Sequence, residues 1–168
     1  MKKVIFVTAP KAFRDEEYYI PKKILENSDI KVITASLKIG DLVGRFGYKA
    51  VSTHTIQDNI LNGCDAITYI GGHGANVFFN NQRALELARF FFKHKKIVSS
   101  ICIASVILAN AGILKHKKAT VFPDGKTSLL KSGAIYTGMP LEIDDNIVTA
   151  SGPKSAEEFG RTIANLLK

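Results

Sequence analysis

Apolar residues recur along this chain in two alternating rhythms. Short runs rich in valine, isoleucine and threonine read as buried strands: "KKVIFVTA" (2–9), "IKVITAS" (30–36), "DAITYIGG" (65–72), "KIVSSIC" (96–102), "KKATVF" (117–122) and "NIVTASG" (146–152). Between them apolar positions return at helical spacing, in "EEYYIPKKILEN" (16–27), "NNQRALELARFFFKH" (80–94), "ASVILANAG" (104–112), "DGKTSLLKSG" (124–133) and "SAEEFGRTIANLL" (155–167). Strands alternating with helices imply a mostly parallel sheet covered on both faces. The stretch "LKIGDLVGRFGYKAVSTHTI" (37–56) breaks the rhythm with glycines and reads as an irregular excursion or small hairpin.

Punctuation residues refine these elements. Gly112 stands where a C-cap would stop the third helix, Asp124 is a candidate N-cap, and Ser155 with Glu158 has the spacing of a capping box. Pro21 lies four residues after Glu17, so the helical bond to the Glu17 carbonyl is missing and a bend is expected there. "NIVTASG" is expected to close the sheet.

Length and composition narrow the class. A chain of 168 residues, 46% hydrophobic and 23% charged, fits one globular domain over 1–168. The start "MKKVIFVTAP" is too short for a signal h-region and reads as a first strand. No apolar run approaches a membrane span, so no membrane partner is expected. Two cysteines, Cys64 and Cys102, make no disulfide framework, and the expected compartment is the reducing cytoplasm. The net charge of +8 invites a nucleic-acid reading. Its densest groups, "KHKK" at 93–96 and again at 115–118, each follow a helical pattern, where cations complement the negative end of the helix dipole. No nucleic-acid partner is therefore expected.

In sheets of this kind ligands sit beyond the carboxyl ends of strands, which singles out three stretches. Cys102 falls where a buried strand gives way to a helix, a position that can lower a thiol pKa. The N–H of Ile103 just after it could hold a developing oxyanion. "YIGGHGAN" supplies Gly71, Gly72 and Gly74 for close backbone approach, with the Gly72 N–H a second oxyanion donor. It fits neither a phosphate loop nor a dinucleotide fingerprint. His73 could be a base or a ligand, but no second metal-type residue stands at suitable spacing, and it reads more simply as a loop histidine. In "FRDEEYYIP", Glu16 and Glu17 open a helix, where carboxylates are usually just solvated. Position alone leaves open whether Cys102 is packing or a presented nucleophile, since free cysteine often serves as a small buried hydrophobe.

Together "FRDEEYYIP", "DAITYIGGHGA", "IVSSICIASVILANAGIL", "ATVFPD" and "NIVTASGPKSAEEFG" resemble the DJ-1/PfpI (ThiJ/PfpI) family in order and spacing over nearly the whole chain. The resemblance implies a flavodoxin-like three-layer α/β sandwich of the class I glutamine-amidotransferase type, assembled as a homodimer or higher homo-oligomer. It also implies a reactive Cys102, a partner Glu17, and oxyanion-type amides at Gly72 and Ile103. Two departures stand out. Members classed as intracellular peptidases carry a histidine directly after the cysteine, where this chain has Ile103. Some members of the DJ-1 branch place a histidine before the proline of "ATVFPD", where this chain has Phe122. Glu17 is then the one carried-over acid–base partner, unless His54 or His73 folds in, and Cys64 reads as structural.

A thiolate beside a protonated carboxyl, without an imidazole, suits attack on an electrophilic carbonyl better than amide hydrolysis. The expected activity is on a small 2-oxoaldehyde, of glyoxalase or deglycase type, with no metal or organic cofactor. The alternatives are a PfpI-type peptidase and a non-catalytic redox or stress sensor in which Cys102 oxidises to the sulfinate.

Overall fold

Val4 and Phe6 turn to one face of a central sheet, Ile5 and Val7 to the other, and all four are fully buried. That is why this strand reads as an unbroken apolar run: a sheet covered on both sides leaves no polar face. The computed structural model describes the backbone of residues 1–168 and every side chain except that of Ile60.

Along the chain, β1 (Lys3–Val7) and a short β2 (Lys11–Phe13) lead into α1 (Asp15–Glu26) and β3 (Lys31–Ser36). A hairpin of β4 (Gly40–Gly44) and β5 (Lys49–Ser52) and a two-residue β6 (His54–Thr55) follow. Next come β7 (Ala66–Tyr69), α2 (Gln82–Lys93), β8 (Ile97–Ile101) and α3 (Ser105–Asn110). The last third holds β9 (Lys118–Ala119), α4 (Lys126–Lys131), β10 (Ile135–Tyr136), β11 (Leu141–Asp144), β12 (Ile147–Ala150) and α5 (Ala156–Leu166).

The main sheet runs β11-β12-β8-β7-β1-β3-β6 and is parallel except where β11 meets β12. Counting β1, β3, β7, β8 and β12 as first to fifth gives the order 2-1-3-4-5 of a flavodoxin-like sheet. The direction of winding reverses between β1 and β7, which opens a crevice at their carboxyl ends. One face packs against α1 and α5, the other against α2, α3 and α4. Proline does not end α1, which continues through Pro21 to Glu26. Gly160 of α5 lies against that proline, and a Cβ there would come within 2.9 Å of Pro21 Cα. Among the described residues no helix is long and apolar enough to cross a membrane.

Several local expectations change. "NIVTASG" forms the last strand of the chain but not the edge of the sheet, because β11 pairs antiparallel outside it. The "LEID" of β11 is a short alternating edge segment rather than an apolar run. Only Lys118 and Ala119 of "KKATVF" are strand, and they pair with β10 in a separate small sheet. The rest of that segment crosses the carboxyl ends of the main sheet. Thr120 N–H donates to Thr149 Oγ1 at 2.9 Å and Phe122 N–H to the Cys102 carbonyl at 3.3 Å. The capping box does not form: the chain enters α5 through a tight turn at Pro153–Ser155, and Ser155 offers no side-chain cap. Asp124 likewise sits inside a turn before α4 and caps nothing. Gly112 does sit just past α3, with φ +78°. The basic groups spend charge on neighbours as well as helix ends: Lys95 pairs with Asp145 at 3.0 Å, and Lys96 donates to the Asn62 and Cys64 carbonyls.

The glycine-rich excursion is the expected hairpin, and it is latched to the start of α1. Asp15 is buried and accepts the Phe46 N–H at 2.9 Å and the Tyr48 N–H at 2.8 Å. A side chain on Gly44 would strike the Asp15 carboxylate, so the close approach needs glycine. Losing an ionised acceptor that serves two N–H groups costs about 2–3 kcal/mol. Asp15→Ala should lower stability by that amount in urea unfolding and speed hydrogen exchange at Phe46 and Tyr48. Unchanged stability and unchanged exchange would show that the latch holds nothing.

Candidate active site

The strand β8 ends at Ile101, and the next residue turns sharply. Cys102 has φ +62°, a left-handed conformation that costs an L-residue about 1–2 kcal/mol. The chain passes through a single tight turn, Cys102–Ala104, into α3. The hydroxyls of Ser100 and Ser105 meet at 2.7 Å and tie the two sides of this turn together. Backbone strain of this kind gathers at active sites and switch regions.

The glycine pair after β7 lets three segments converge there. A Cβ on Gly71 would collide with Glu17 Oε2 and come within 2.7 Å of Cys102 Cβ. A Cβ on Gly72, where φ is +97°, would run into the backbone of Phe13 and Arg14. The Arg14 N–H donates to the Gly71 carbonyl at 2.9 Å and pins the entry of α1 to the glycine turn. One residue pair later the helix turns Glu16 outward, where it bonds Arg14 at 2.9 Å, and Glu17 inward. Glu17 is 0% exposed and Cys102 only 7%.

The carboxyl and the thiol define each other's protonation. Neither oxygen of Glu17 has a well-aligned hydrogen bond among the described residues, although the Cys102 thiol and the Gly71 N–H both bear on it. Burial pushes the Glu17 carboxyl up to about 8, against the pull of the thiol, the Arg14 charge and the Gly71 N–H. Burial also pushes the Cys102 thiol up, to about 12, with the negative charge of Glu17 adding to it. The N–H groups of Ile103 and Gly72 oppose that rise. The lowered thiol pKa expected from a helix N-terminus is therefore not realised in the free protein. The following helix has only six residues, and its dipole is outweighed by desolvation and a neighbouring carboxyl. Two such groups lose protons as a pair. The pair therefore gives up its first proton at a higher pH than a free carboxyl would, and then shares one negative charge. That charge is reactive when it rests on sulfur, held by the two amides, with Glu17 keeping the proton.

Cys102, Glu17, Gly72 and Ile103 thus lie together, the grouping that the family resemblance implied. His73 does not join them. It is exposed at the start of a turn and makes no side-chain hydrogen bond among the described residues. His54 lies elsewhere, its Nδ1 2.9 Å from Thr53 Oγ1 in β6 and the residue before it. Cys64 is packed in the other core cluster, where burial raises its thiol. Among the described residues no group of three or more His, Cys, Asp or Glu is placed to hold a metal. Arg14 and Asp15 escaped the sequence reading. Both lie in the quoted "FRDEEYYIP", but nothing in a run of charges at a helix start tells an anchoring residue from a solvated one.

The buried carboxyl makes stability depend on pH. Between pH 4.5 and 8 folded Glu17 keeps a proton that the unfolded chain has released. Its contribution is full below pH 4.5 and is lost as pH rises toward 8, with a ceiling of about 5 kcal/mol. Glu17→Gln has no proton to lose, so its stability relative to wild type should rise steadily from pH 5 to pH 8. A difference independent of pH in matched unfolding curves would mean that Glu17 is ionised when folded.

With this geometry in hand, kinship can be stated. A model of the DJ-1/PfpI family matches residues 2–166. The chain is 40% identical over 169 residues to Uncharacterized protein MJ0967 of Methanocaldococcus jannaschii, covering 99% of this chain and 82% of that protein. It is 30% identical over 166 residues to Deglycase PH1704 of Pyrococcus horikoshii, covering 99% of each. Its fold is similar to the crystal structure of a ThiJ/PfpI domain protein from Brachyspira murdochii. That likeness has a TM-score of 0.94 and 29% identity, over 98% of this chain and 95% of that one. A match that spans almost the whole sequence shows that the chain belongs to the DJ-1/PfpI family.

Proposed function

We propose that this chain is a cysteine-dependent enzyme that converts 2-oxoaldehydes such as methylglyoxal to 2-hydroxy acids. The observation that carries the reading is the isolated Glu17–Cys102 pair, buried together with no imidazole bonded to either group. A carboxyl with a pKa raised to about 8 is matched to giving and taking protons near neutrality.

The chemistry follows from the pair. In the pair that has lost one proton, the Cys102 thiolate adds to the aldehyde carbon, and the oxygen that gains charge is received by the Gly72 and Ile103 N–H groups and takes the Glu17 proton, forming a hemithioacetal. Glu17, having given its proton to the hemithioacetal oxygen, removes the hydrogen from that carbon and returns it to the neighbouring one. The first carbon is oxidised to a thioester while the second is reduced to an alcohol, so no external oxidant is required. Water then cleaves the thioester, releasing the 2-hydroxy acid and restoring the thiol. The relative from Pyrococcus horikoshii carries the name deglycase, which fits chemistry of the same kind on aldehyde adducts. A cleft of about 340 Å³ is walled by Phe122, Tyr136 and Pro153; Phe122, whose N–H donates to the Cys102 carbonyl, joins it to the cysteine turn, and neither Cys102 nor Glu17 lines it.

Peptide hydrolysis is the weaker reading, because expelling an amine needs a positioned acid such as an imidazolium. Ile103 occupies the place where the family's peptidases carry histidine, and neither His54 nor His73 is bonded to the pair.

Wild-type protein should consume methylglyoxal catalytically and form lactate, and Cys102→Ser should abolish this. Glu17→Gln should lose about 10²–10⁴ in rate. The assay subtracts stoichiometric trapping by the 23 lysines and arginines, which both variants retain. Casein and peptide reporters should remain intact. Robust peptide cleavage lost in Cys102→Ser, with only stoichiometric aldehyde loss, would reverse the assignment.

A second test reads the thiol itself. Iodoacetamide labelling followed by peptide mapping should modify Cys102 before the buried Cys64, with the Cys102 rate first climbing near pH 8. A rate already at its plateau at pH 6 would mean that the thiolate forms without help from the shared proton.

A further inference from the structure

At the far end of the sheet from Cys102, the register places two lysines side by side. Lys3 opens β1 and Lys31 opens β3, and the two are direct partners in that parallel pair. Paired residues of neighbouring strands share a face, so both side chains leave the sheet in the same direction. Like charges so placed destabilise a sheet, and among the described residues neither ammonium has an acidic partner. Asp65 is already engaged by the Lys2 ammonium at 3.3 Å and the Lys3 N–H at 2.8 Å.

Between these lysines and the loop before β7 lies a cleft of about 460 Å³, lined also by Thr53, His54, Gly63 and Cys64. No carboxylate lines it. His54 turns Nδ1 to Thr53 Oγ1, which leaves Nε2 as its free ring nitrogen. Lys96 adds a third cation close by, its ammonium 2.7 Å from the Cys64 carbonyl. Here β6 pairs with Ala35 and Ser36, leaving Lys31–Ile33 without a ladder partner on that side.

We propose that this cleft is a second binding site, for a small phosphomonoester whose phosphate sits between Lys3, Lys31 and His54. A phosphate monoester carries about −1.5 to −2 charges at neutral pH, which two ammonium groups match, and lysine serves phosphate as a point charge. The volume leaves room for a small organic group beyond the phosphate. Five residues of strand, about 16 Å, separate this cleft from the carboxyl ends where Cys102 lies, so the site is independent of the proposed catalysis.

The test is titration of the full chain with glycerol phosphate, inorganic phosphate and a short single-stranded oligonucleotide, each against chloride of equal ionic strength. Calorimetry gives the affinity, and the His54 ring resonances report the location. Glycerol phosphate should bind saturably at one site, shift His54, and weaken at least about tenfold in Lys3→Met/Lys31→Met. The charge-matched Lys118→Met/Lys131→Met should bind like wild type, and the rate of Cys102 alkylation should be the same in both. Lys31→Glu supplies a readout without ligand: it converts the repelling pair into an ion pair and should raise the melting temperature while abolishing binding. Inorganic phosphate binding as well as glycerol phosphate would assign the site to the phosphate group alone and still support it. The proposal fails if no phosphate effect exceeds that of chloride, if both double variants lose binding equally, or if only the oligonucleotide binds.

Discussion

A carboxyl group with no exposed surface, pressed against a thiol, is the constraint around which this molecule is arranged. Water would ionise Glu17 at ordinary acidity; burial withholds that water and lifts its pKa to about 8. The same burial prevents Cys102 from being a free thiolate in the resting protein. Neither group can carry charge alone cheaply, and the two together can share one. Reactivity is thus a property of the pair, delivered when the pair has lost one proton, the remaining proton rests on the carboxyl and an electrophile meets the charged sulfur.

Holding that pair requires three segments distant in sequence to meet at the switch point of the sheet. The Gly71–Gly72 turn supplies the space, because any side chain at either position would displace Glu17, Cys102 or the entry to α1. The bond from Arg14 to Gly71 sets where α1 begins, and Asp15 secures that same first turn to the hairpin. Gly160 lets α5 close over the helix at Pro21, the point where a proline leaves the hydrogen-bond ladder incomplete. Strain in the Cys102 backbone is then borne by a well-supported frame, with Ser100 and Ser105 clamping the turn from both sides.

Much of this was legible from residue order. The buried strands announce themselves because a sheet covered on both faces demands continuous apolar runs, and the position of Cys102 follows from where β8 has to stop. The convergence of Glu17 on Cys102 came from the family resemblance, since helix periodicity alone does not say which of two adjacent glutamates turns inward. The edge strand β11 carries no continuous apolar run: "LEID" alternates apolar and polar residues, the half-buried pattern of a sheet edge, and is only four residues long. The "TV" that follows β9 has strand composition for another reason: Thr120 and Val121 are buried where the chain crosses the ends of β8 and β12, held by bonds to a side chain and a carbonyl rather than by a ladder. Ser155 and Asp124 show the limit of cap signatures, for both stand where short turns satisfy the backbone first. The thiol pKa was misjudged because a helix start is visible in sequence, whereas desolvation and a facing carboxyl appear only after folding.

The claim that everything else depends on is that Glu17 holds its proton at neutral pH in the folded protein. Difference infrared spectroscopy of wild type against Glu17→Gln, with Glu17→Asp as a second reference, isolates the carbonyl stretch of that one carboxyl. The account predicts a protonated-carboxyl band present at pH 7, disappearing with a midpoint near 8, and sensitive to Cys102→Ser. A carboxylate already ionised at pH 6, with a midpoint near the ordinary 4.5 and no response to Cys102→Ser, would contradict it.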